Sequence, residues 1–363
     1  MGTDLYKLIG AIDRVGIQNI SLLSRMTGMP IETIRYTVRK RFPNLGLKVS
    51  LTLNERMIGL ERTFVVLTLS ESARQSMAAI MRGLSKEAFL TYWSKAALDN
   101  RVIALFSVPV SLADQFSAFM GRLVEGGVVE SFEVRRLGWT RHPELKGRYY
   151  GFSSGEWKID WSKLAAHEEA PPAPLKEEDV PAKPEIDSID TLIIKEMELD
   201  AWRNIAEIAR KLRINERTAR WHYTKHVSRM ANTNYVHWFP ASPTDVSRAV
   251  GAVYEFDAMS RAQVSKLRSL FNNFPFAWFE GGSNAGYYQV HLGMPASEFM
   301  EASRYLSDRL PQVVQKWNTY PLDMASERWY TIPYENFEDK KGWVFNDERA
   351  LRAVLPERVP IKK

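Results

Sequence analysis

The 363-residue sequence contains no cysteine. Disulfides, thiolate metal sites and cysteine nucleophiles are therefore excluded together. No run of eighteen apolar residues occurs, so no segment reads as a membrane-spanning helix. The opening Met1-Gly2-Thr3-Asp4-Leu5 lacks the basic start and apolar core of a signal peptide, which points to a cytoplasmic location. Glu280-Gly281-Gly282-Ser283-Asn284-Ala285-Gly286 has no following Lys-Ser/Thr and sits between strand-like stretches, so it reads as a hairpin rather than a phosphate loop. No nucleophile elbow appears. Histidine is scarce: His142, His167, His222, His226, His237 and His291. Only His222 and His226 stand at i, i+4 on a helical pattern, the spacing of a zinc pair, and they lack the glutamate that a metalloprotease motif requires. They read as phosphate-facing or core-edge residues. No metal ligands, cofactor or catalytic residues are expected, and the chain reads as not an enzyme.

What is present is ordinary globular composition, 45% hydrophobic and 25% charged, with a net charge of +6 that favours polyanionic partners. The charge is uneven. Residues 1–59 hold nine Lys/Arg against four Asp/Glu, whereas residues 165–185 hold two against six. That acidic stretch carries Pro171, Pro172, Pro174, Pro181 and Pro184 and has too little apolar surface to offset the entropy of ordering, so it reads as an extended linker.

The chain also resembles itself. Displaced by 185 residues, Asn19, Ile20, Arg25, Thr33 and Arg35 fall on Asn204, Ile205, Arg210, Thr218 and Arg220. At nearly the same offset Phe89 meets Phe276, Pro109 meets Pro295 and Trp157 meets Trp343. A repeat this long implies two copies of a domain set rather than a solenoid. In the first copy, helical periodicity marks Leu5 to Ile12, Ile20 to Met26 and Ile31 to Phe42, with the stripe Ile34, Val38 and Phe42. Gly28 suits a left-handed turn position. In the second, the pattern covers Leu192 to Met197, Ile205 to Leu212 and a helix opening at Glu216 behind an Asn215 cap, with the stripe Ala219, Tyr223 and Val227. Three helices with a tight turn before the last describe a helix-turn-helix. Opposite the stripes lie Arg35, Tyr36, Arg39 and Lys40 in one copy and Arg217, Arg220, Trp221, Thr224 and Lys225 in the other. Arginine can read guanine edges in a major groove while further cations hold phosphates, so these nine are the candidate DNA-binding residues. A strand follows each triad, at Leu47 to Leu53 and Tyr235 to Phe239, and reads as a wing or as a link into the next domain.

Downstream each copy alternates strand, helix, strand, strand, helix, strand. The segments are Thr63–Leu69, Ala73–Leu84, Phe89–Ala96, Val102–Pro109, Leu112–Glu125 and Val128–Leu137, then Val250–Phe256, Arg261–Phe271, Phe276–Glu280, Tyr287–Gly293, Ala296–Leu310 and Val313–Thr319. The expected fold class is α+β, two tandem repeats of a winged helix-turn-helix and a ferredoxin-like βαββαβ domain. The domains are 1–60, 61–164, the linker 165–185, 186–244 and 245–363. An aromatic tail, at Trp157 and Trp343, is expected to pack within each repeat.

A helix-turn-helix followed by βαββαβ resembles the Lrp/AsnC family of bacterial and archaeal transcription regulators. Ile186-Asp187-Ser188-Ile189-Asp190-Thr191-Leu192-Ile193-Ile194 is similar to that family's opening Leu-Asp-x-x-Asp-x-x-Ile-Leu. Arg203 to Ala209 is similar to its Arg-x-x-x-x-Glu-Leu-Ala stretch, and Gly126-Gly127-Val128-Val129 resembles the Gly-Val that enters its last strand. The resemblance implies RAM-like sheet domains, nucleoid-associated double-stranded DNA as partner, and a sequence-specific regulator whose two recognition helices form a pseudo-dimer on an asymmetric site. It also implies a small-molecule effector where sheet domains meet, near 96–100 and 281–286, and further copies of the chain as partners. The alternatives are a small-molecule-sensing or assembly scaffold, or a chromatin-like architectural protein. RNA binding is disfavoured because Val102 to Phe106 and Tyr288 to Leu292 lack the basic-Gly-aromatic signature.

Overall fold

The computed structural model describes residues 2–152, 154–166, 185–238 and 248–355; the Pro- and Glu-rich stretch lies, from 167 to 184, outside them. Helices Gly2–Val15, Ile20–Thr27 and Ile31–Tyr36 form the first helix-turn-helix. Asn19 accepts the Leu22 N–H at one end of the middle helix, and Gly28 (φ +73°) closes the other in the left-handed region. The third helix continues through a π turn, Thr37–Arg41, which keeps Ile34, Val38 and Phe42 on the buried side. Ser188–Leu199, Ile205–Leu212 and Glu216–His222 form the second unit, again followed by a π turn, Tyr223–Val227. Asn204 and Glu207 make a capping box, and Asn215 accepts the Arg217 N–H. Arg213 takes the left-handed position (φ 58°) that a glycine holds in the first unit.

Strand β1 (Leu47–Leu53) follows the first unit and β9 (Ala231–Trp238) the second. The two pair antiparallel, Leu47 opposite Trp238, so the expected wings join the helix-turn-helix units to each other. The remaining strands are β2 (Leu60–Leu69), β3 (Leu90–Ala96), β4 (Arg101–Pro109), β5 (Val129–Leu137), β6 (Trp139–Arg141), β7 (Tyr150–Gly151), β8 (Glu156–Trp157), β10 (Ala249–Phe256), β11 (Ala277–Ser283), β12 (Tyr287–Pro295), β13 (Asn318–Trp329), β14 (Phe337–Glu338) and β15 (Gly342–Trp343). Nine of them form one antiparallel sheet in the order β5-β2-β4-β3-β13-β10-β12-β11-β6. Only Gly138 separates β5 from β6, so one stretch of chain links the two ends of the ladder and the sheet closes on itself through it, β6 pairing with Glu280 to Gly282 of β11.

The period-two alternation of strands divides the side chains between inside and outside. Along β12, Tyr288, Val290 and Leu292 point to an outer core with Phe256, Phe271 and Leu306, while Tyr287 joins an interior cluster with Phe64, Tyr92, Val253, Phe279 and Tyr320. His291 is enclosed there too, ringed by Trp278, Phe279, Tyr92 and Phe64. Helices Met77–Glu87 and Ala113–Glu125 cover a second outer core with Val65, Leu67, Phe89 and Phe106. At the seam a Cβ on Gly282 would lie 2.6 Å from the Tyr287 carbonyl oxygen and 2.7 Å from the Trp139 ring, which is why this position needs glycine. Gly282→Ala is expected to lower unfolding free energy by roughly 1–2 kcal/mol in urea titration, since backbone must move to accommodate the methyl.

The structure departs from the sequence reading in several places. The last strand is Asn318–Trp329 rather than Val313–Thr319, and the helix before it begins at Phe299. Val314 is buried in the outer core, and the polar run that follows is held as strand by partners on both sides, Leu322 pairing with Gly251 and with Ala96. Both tails reach across to the other sheet unit, although Trp343 itself stays with its own repeat, against Phe337 and in the core with Ile193, Ile208 and Ala219. Trp157 and Trp161 lie against Phe274, Phe276 and Tyr305 of the second sheet unit. Helix Asp347–Val354 instead buries Ala350, Leu351 and Val354 in the first, with Arg122 bridging to Asp347 and Glu348. The tails cross because each apolar helix face finds an uncovered core on the opposite unit, and burying such side chains is worth about 1.5–3 kcal/mol apiece.

Candidate active site

A cavity of about 870 Å³ opens between the β1–β9 ribbon and one end of the closed sheet. It is at the upper end of the usual range for ligand sites. The ribbon contributes Lys48 and His237, the turn after β1 Glu55 and Arg56, and β2 Arg62; the segment around β6 adds Arg141 and His142. Helix Ser188–Leu199 supplies Lys195 and Glu198, β11 Trp278 and Phe279, and the end of β13 Glu327 and Trp329. Residues far apart in the chain thus meet because the ribbon and the sheet closure bring both halves to one place.

The two histidines face each other, ring centroids 6.2 Å apart. His142 Nδ1 lies 2.9 Å from the Trp278 carbonyl oxygen. A carbonyl only accepts, so Nδ1 carries the proton and the ring's orientation is fixed. Both imidazoles touch the cavity yet are enclosed by protein. Burial, partly offset by that hydrogen bond, pulls His142 down to about 4. Burial and the neighbouring His142 push His237 well below its ordinary value. The carboxyls move the other way. Desolvation lifts Glu198 to about 8, although its side chain accepts the Ile332 N–H at 2.8 Å, and lifts Glu327, which accepts the Tyr92 hydroxyl at 3.0 Å, to about 7.

The cations are arranged around these groups. Arg62 pairs with Glu55 at 2.6 Å, Arg56 with Glu61, and Arg141 with Glu280 at 2.7 Å. Lys195 lies 5.1 Å from the Tyr334 ring centroid, and Lys48 is lowered by desolvation against the pull of Asp200 and Glu198. Neutral imidazoles, protonated carboxyls and several guanidinium and ammonium groups around aromatic faces suit a large, flat ligand with carboxylate arms.

The nine residues singled out for DNA lie elsewhere. Arg35, Tyr36, Arg39, Lys40, Arg217, Arg220, Trp221, Thr224 and Lys225 are all exposed on the recognition helices, and none lines the cavity. Arg35 pairs with Glu32, Arg220 with Glu216, and Arg39 sits over the Trp202 ring. His222 faces inward rather than toward a phosphate: it is buried against Asp190. Residues 96–100 and 281–286, near which an effector was expected, do not line this cavity, and Leu137 and Trp139 lie against Gly281 and Gly282.

No protein-family model matches the chain, and no curated protein matches it. Among solved structures, the siroheme decarboxylase NirDL in complex with an iron-uroporphyrin III analogue is similar at TM-score 0.52 and 13% identity, covering 92% of this chain and 94% of its own. A second structure of that enzyme gives 0.52 and 12%, covering 96% and 97%. A transcriptional regulatory protein of the AsnC family from Pyrococcus furiosus is similar at 0.30 and 15% over 37% of this chain and 86% of its own. The expectation that the chain is not an enzyme is therefore corrected: two structures that share its fold over more than nine-tenths of its length are of a decarboxylase. The chain has a mixed α+β fold with one large antiparallel sheet.

Proposed function

We propose that this chain binds an iron tetrapyrrole of the siroheme type in the cavity and removes carboxyl groups from its acetate arms. The observation that carries the reading is the facing pair His142 and His237 in a cation-ringed cavity of about 870 Å³, in a fold shared with a siroheme decarboxylase. Trp278, Phe279 and Trp329 offer apolar faces to the macrocycle, and Arg56, Arg62, Arg141 and Lys48 receive its carboxylates. Decarboxylation breaks the bond between the arm's methylene and its carboxylate; CO2 leaves and the electron pair remains on the methylene, which must take up a proton to become methyl. His142 holds that proton. In the ligand-free cavity the imidazole is neutral at pH 7. A carboxylate about 4 Å away at an effective dielectric near 20 contributes about 4 kcal/mol, roughly three pKa units. Substrate binding thus lifts His142 from about 4 toward neutrality and charges the acid it needs. Calorimetry of tetrapyrrole binding in buffers of different ionisation enthalpy should show about one proton taken up at pH 7. Binding without proton uptake would remove His142 from this role.

A second reading is favoured by the exposure of the recognition helices, with Tyr36 61% and Trp221 51% accessible. Here the two helix-turn-helix units are copies of one ancestor and a duplex is their partner, in line with the Lrp/AsnC resemblance. Fluorescence anisotropy against salt should then show affinity falling steeply with salt, and Arg35→Ala/Arg220→Ala weakening binding about tenfold. Absence of duplex binding at low salt would make these units scaffolding for the cavity.

A further inference from the structure

The first helix of the second unit opens on a reciprocal cap. The Asp190 N–H donates to Asp187 Oδ1 and the Asp187 N–H to Asp190 Oδ2, each at 3.0 Å. Asp190 is fully buried, although its carboxylate is not needed for the apolar packing around it. Two imidazoles converge on it from the recognition helix. His222 Nδ1 lies 2.9 Å from Asp190 Oδ1 and His226 Nδ1 2.7 Å from Asp190 Oδ2. One donor atom from each of the three residues lies within 4.8 Å of the other two. Asp187 Oδ1 stands 3.5 Å from His222 Nδ1, so a fourth donor is at hand. Trp221 covers the pair edge-on, its ring centroid 4.9 Å from His222 and 5.0 Å from His226.

We propose that Asp190, His222 and His226, with Asp187 beside them, form a site for one divalent transition-metal ion of the zinc(II) class. Tetrahedral donors each about 2.1 Å from a zinc ion lie about 3.4 Å apart; here each histidine Nδ1 stands 2.9 or 2.7 Å from its own Asp190 oxygen, and an ion would take the place of these two hydrogen bonds. Imidazole and carboxylate donors without sulfur suit zinc, nickel or cobalt rather than copper(I) or an iron–sulfur cluster. The ligands come from both ends of the unit, so the ion ties the recognition helix to the first helix, Ser188–Leu199, and holds Trp221 in place. The set belongs to the second unit alone. At the same 185-residue offset the first unit carries Leu5, Thr37 and Arg41 in place of Asp190, His222 and His226.

The test is a Zn²⁺ titration of the full chain at pH 7 against a chromophoric chelator, comparing wild type, His226→Gln and His142→Ala/His237→Ala. Wild type should take up one ion per chain. His226→Gln should weaken that event by at least about tenfold, because losing even an outer-shell partner of a metal costs that much. His142→Ala/His237→Ala, altered in the cavity instead, should leave it unchanged. In parallel, one equivalent of Zn²⁺ should raise the melting temperature of wild type, a readout that needs no variant to fold. Failure of wild type to bind, or binding that follows the cavity histidines rather than His226, would overturn the site and leave Asp190 a purely hydrogen-bonding anchor. Either result is independent of whether the cavity decarboxylates anything.

Discussion

His142→Ala is expected to lower the rate of tetrapyrrole decarboxylation by about 10²–10⁴-fold, the usual worth of a positioned general acid, while tetrapyrrole affinity changes little. The separation of rate from affinity follows from the geometry. His142 is one of many groups around a cavity whose binding surface is spread over aromatic faces and several cations, so truncating it removes little contact. Its proton, in contrast, has few substitutes. His237 is the nearest other imidazole, and its proton affinity is depressed by burial and by His142 itself. Single-turnover kinetics with bound substrate, beside an absorbance titration of binding, would read the two quantities separately. The rate carried by His142 should also fall as pH rises, because a bound carboxylate raises the imidazole from about 4 and its extra proton is lost above that raised value. A variant that loses binding and rate together would make His142 a contact residue instead.

The second large effect concerns stability. Burial disfavours the charged form of Glu198 and lifts it from an ordinary 4.5 to about 8 in the folded chain. A carboxyl whose pKa is raised on folding contributes stability that is complete below the unfolded value and is lost as pH rises through the folded one. The window is therefore about pH 4.5 to 8. The full shift would correspond to roughly 4–5 kcal/mol at 1.36 kcal/mol per unit. Glu198 borders a solvated cavity, so about 2–3 kcal/mol is the expected effect. Glu198→Gln keeps an acceptor for the Ile332 N–H and removes the titration. Urea unfolding at pH 5 and pH 9 should show wild type losing about that much more than the variant across the interval. Some loss should remain in the variant, since Asp13, also at about 8, and Glu327, at about 7, shift in the same direction for the same reason. Equal losses in the two proteins would contradict the burial of this carboxyl.

Much of the local architecture was legible in the residues. The stripes Ile34, Val38 and Phe42 in one unit and Ala219, Tyr223 and Val227 in the other mark recognition helices by period alone, and Asn215 caps where the sequence placed a cap. Most strands of the sheet carry enough β-branched and aromatic residues to announce themselves. Strand β13 did not, because Asp323 to Arg328 has no apolar alternation; β10 pairs with Asn318 to Leu322, and β3 holds the rest at Asp323, Arg328 and Trp329 across an irregularity. The crossing of the tails was hidden for a related reason. Trp157 and Trp343 lie in short strands, and the apolar faces of the helices that follow them do not say which core receives them. The cavity left least trace. His142 follows a three-residue strand, His237 sits in a ribbon made with a distant strand, and no local motif joins them. Their one visible mark was scarcity, two of six histidines in a chain without cysteine. The pair His222 and His226 was conspicuous by spacing, but only the structure brings Asp190 to them.

The most direct measurement is a mass spectrum of siroheme after incubation with the full chain under reducing, oxygen-free conditions. The proposed function predicts a product lighter by one CO2 for each acetate arm processed, formed at a rate that scales with protein concentration. Siroheme recovered unchanged, although bound in the cavity, would contradict catalysis and leave a tetrapyrrole-binding protein.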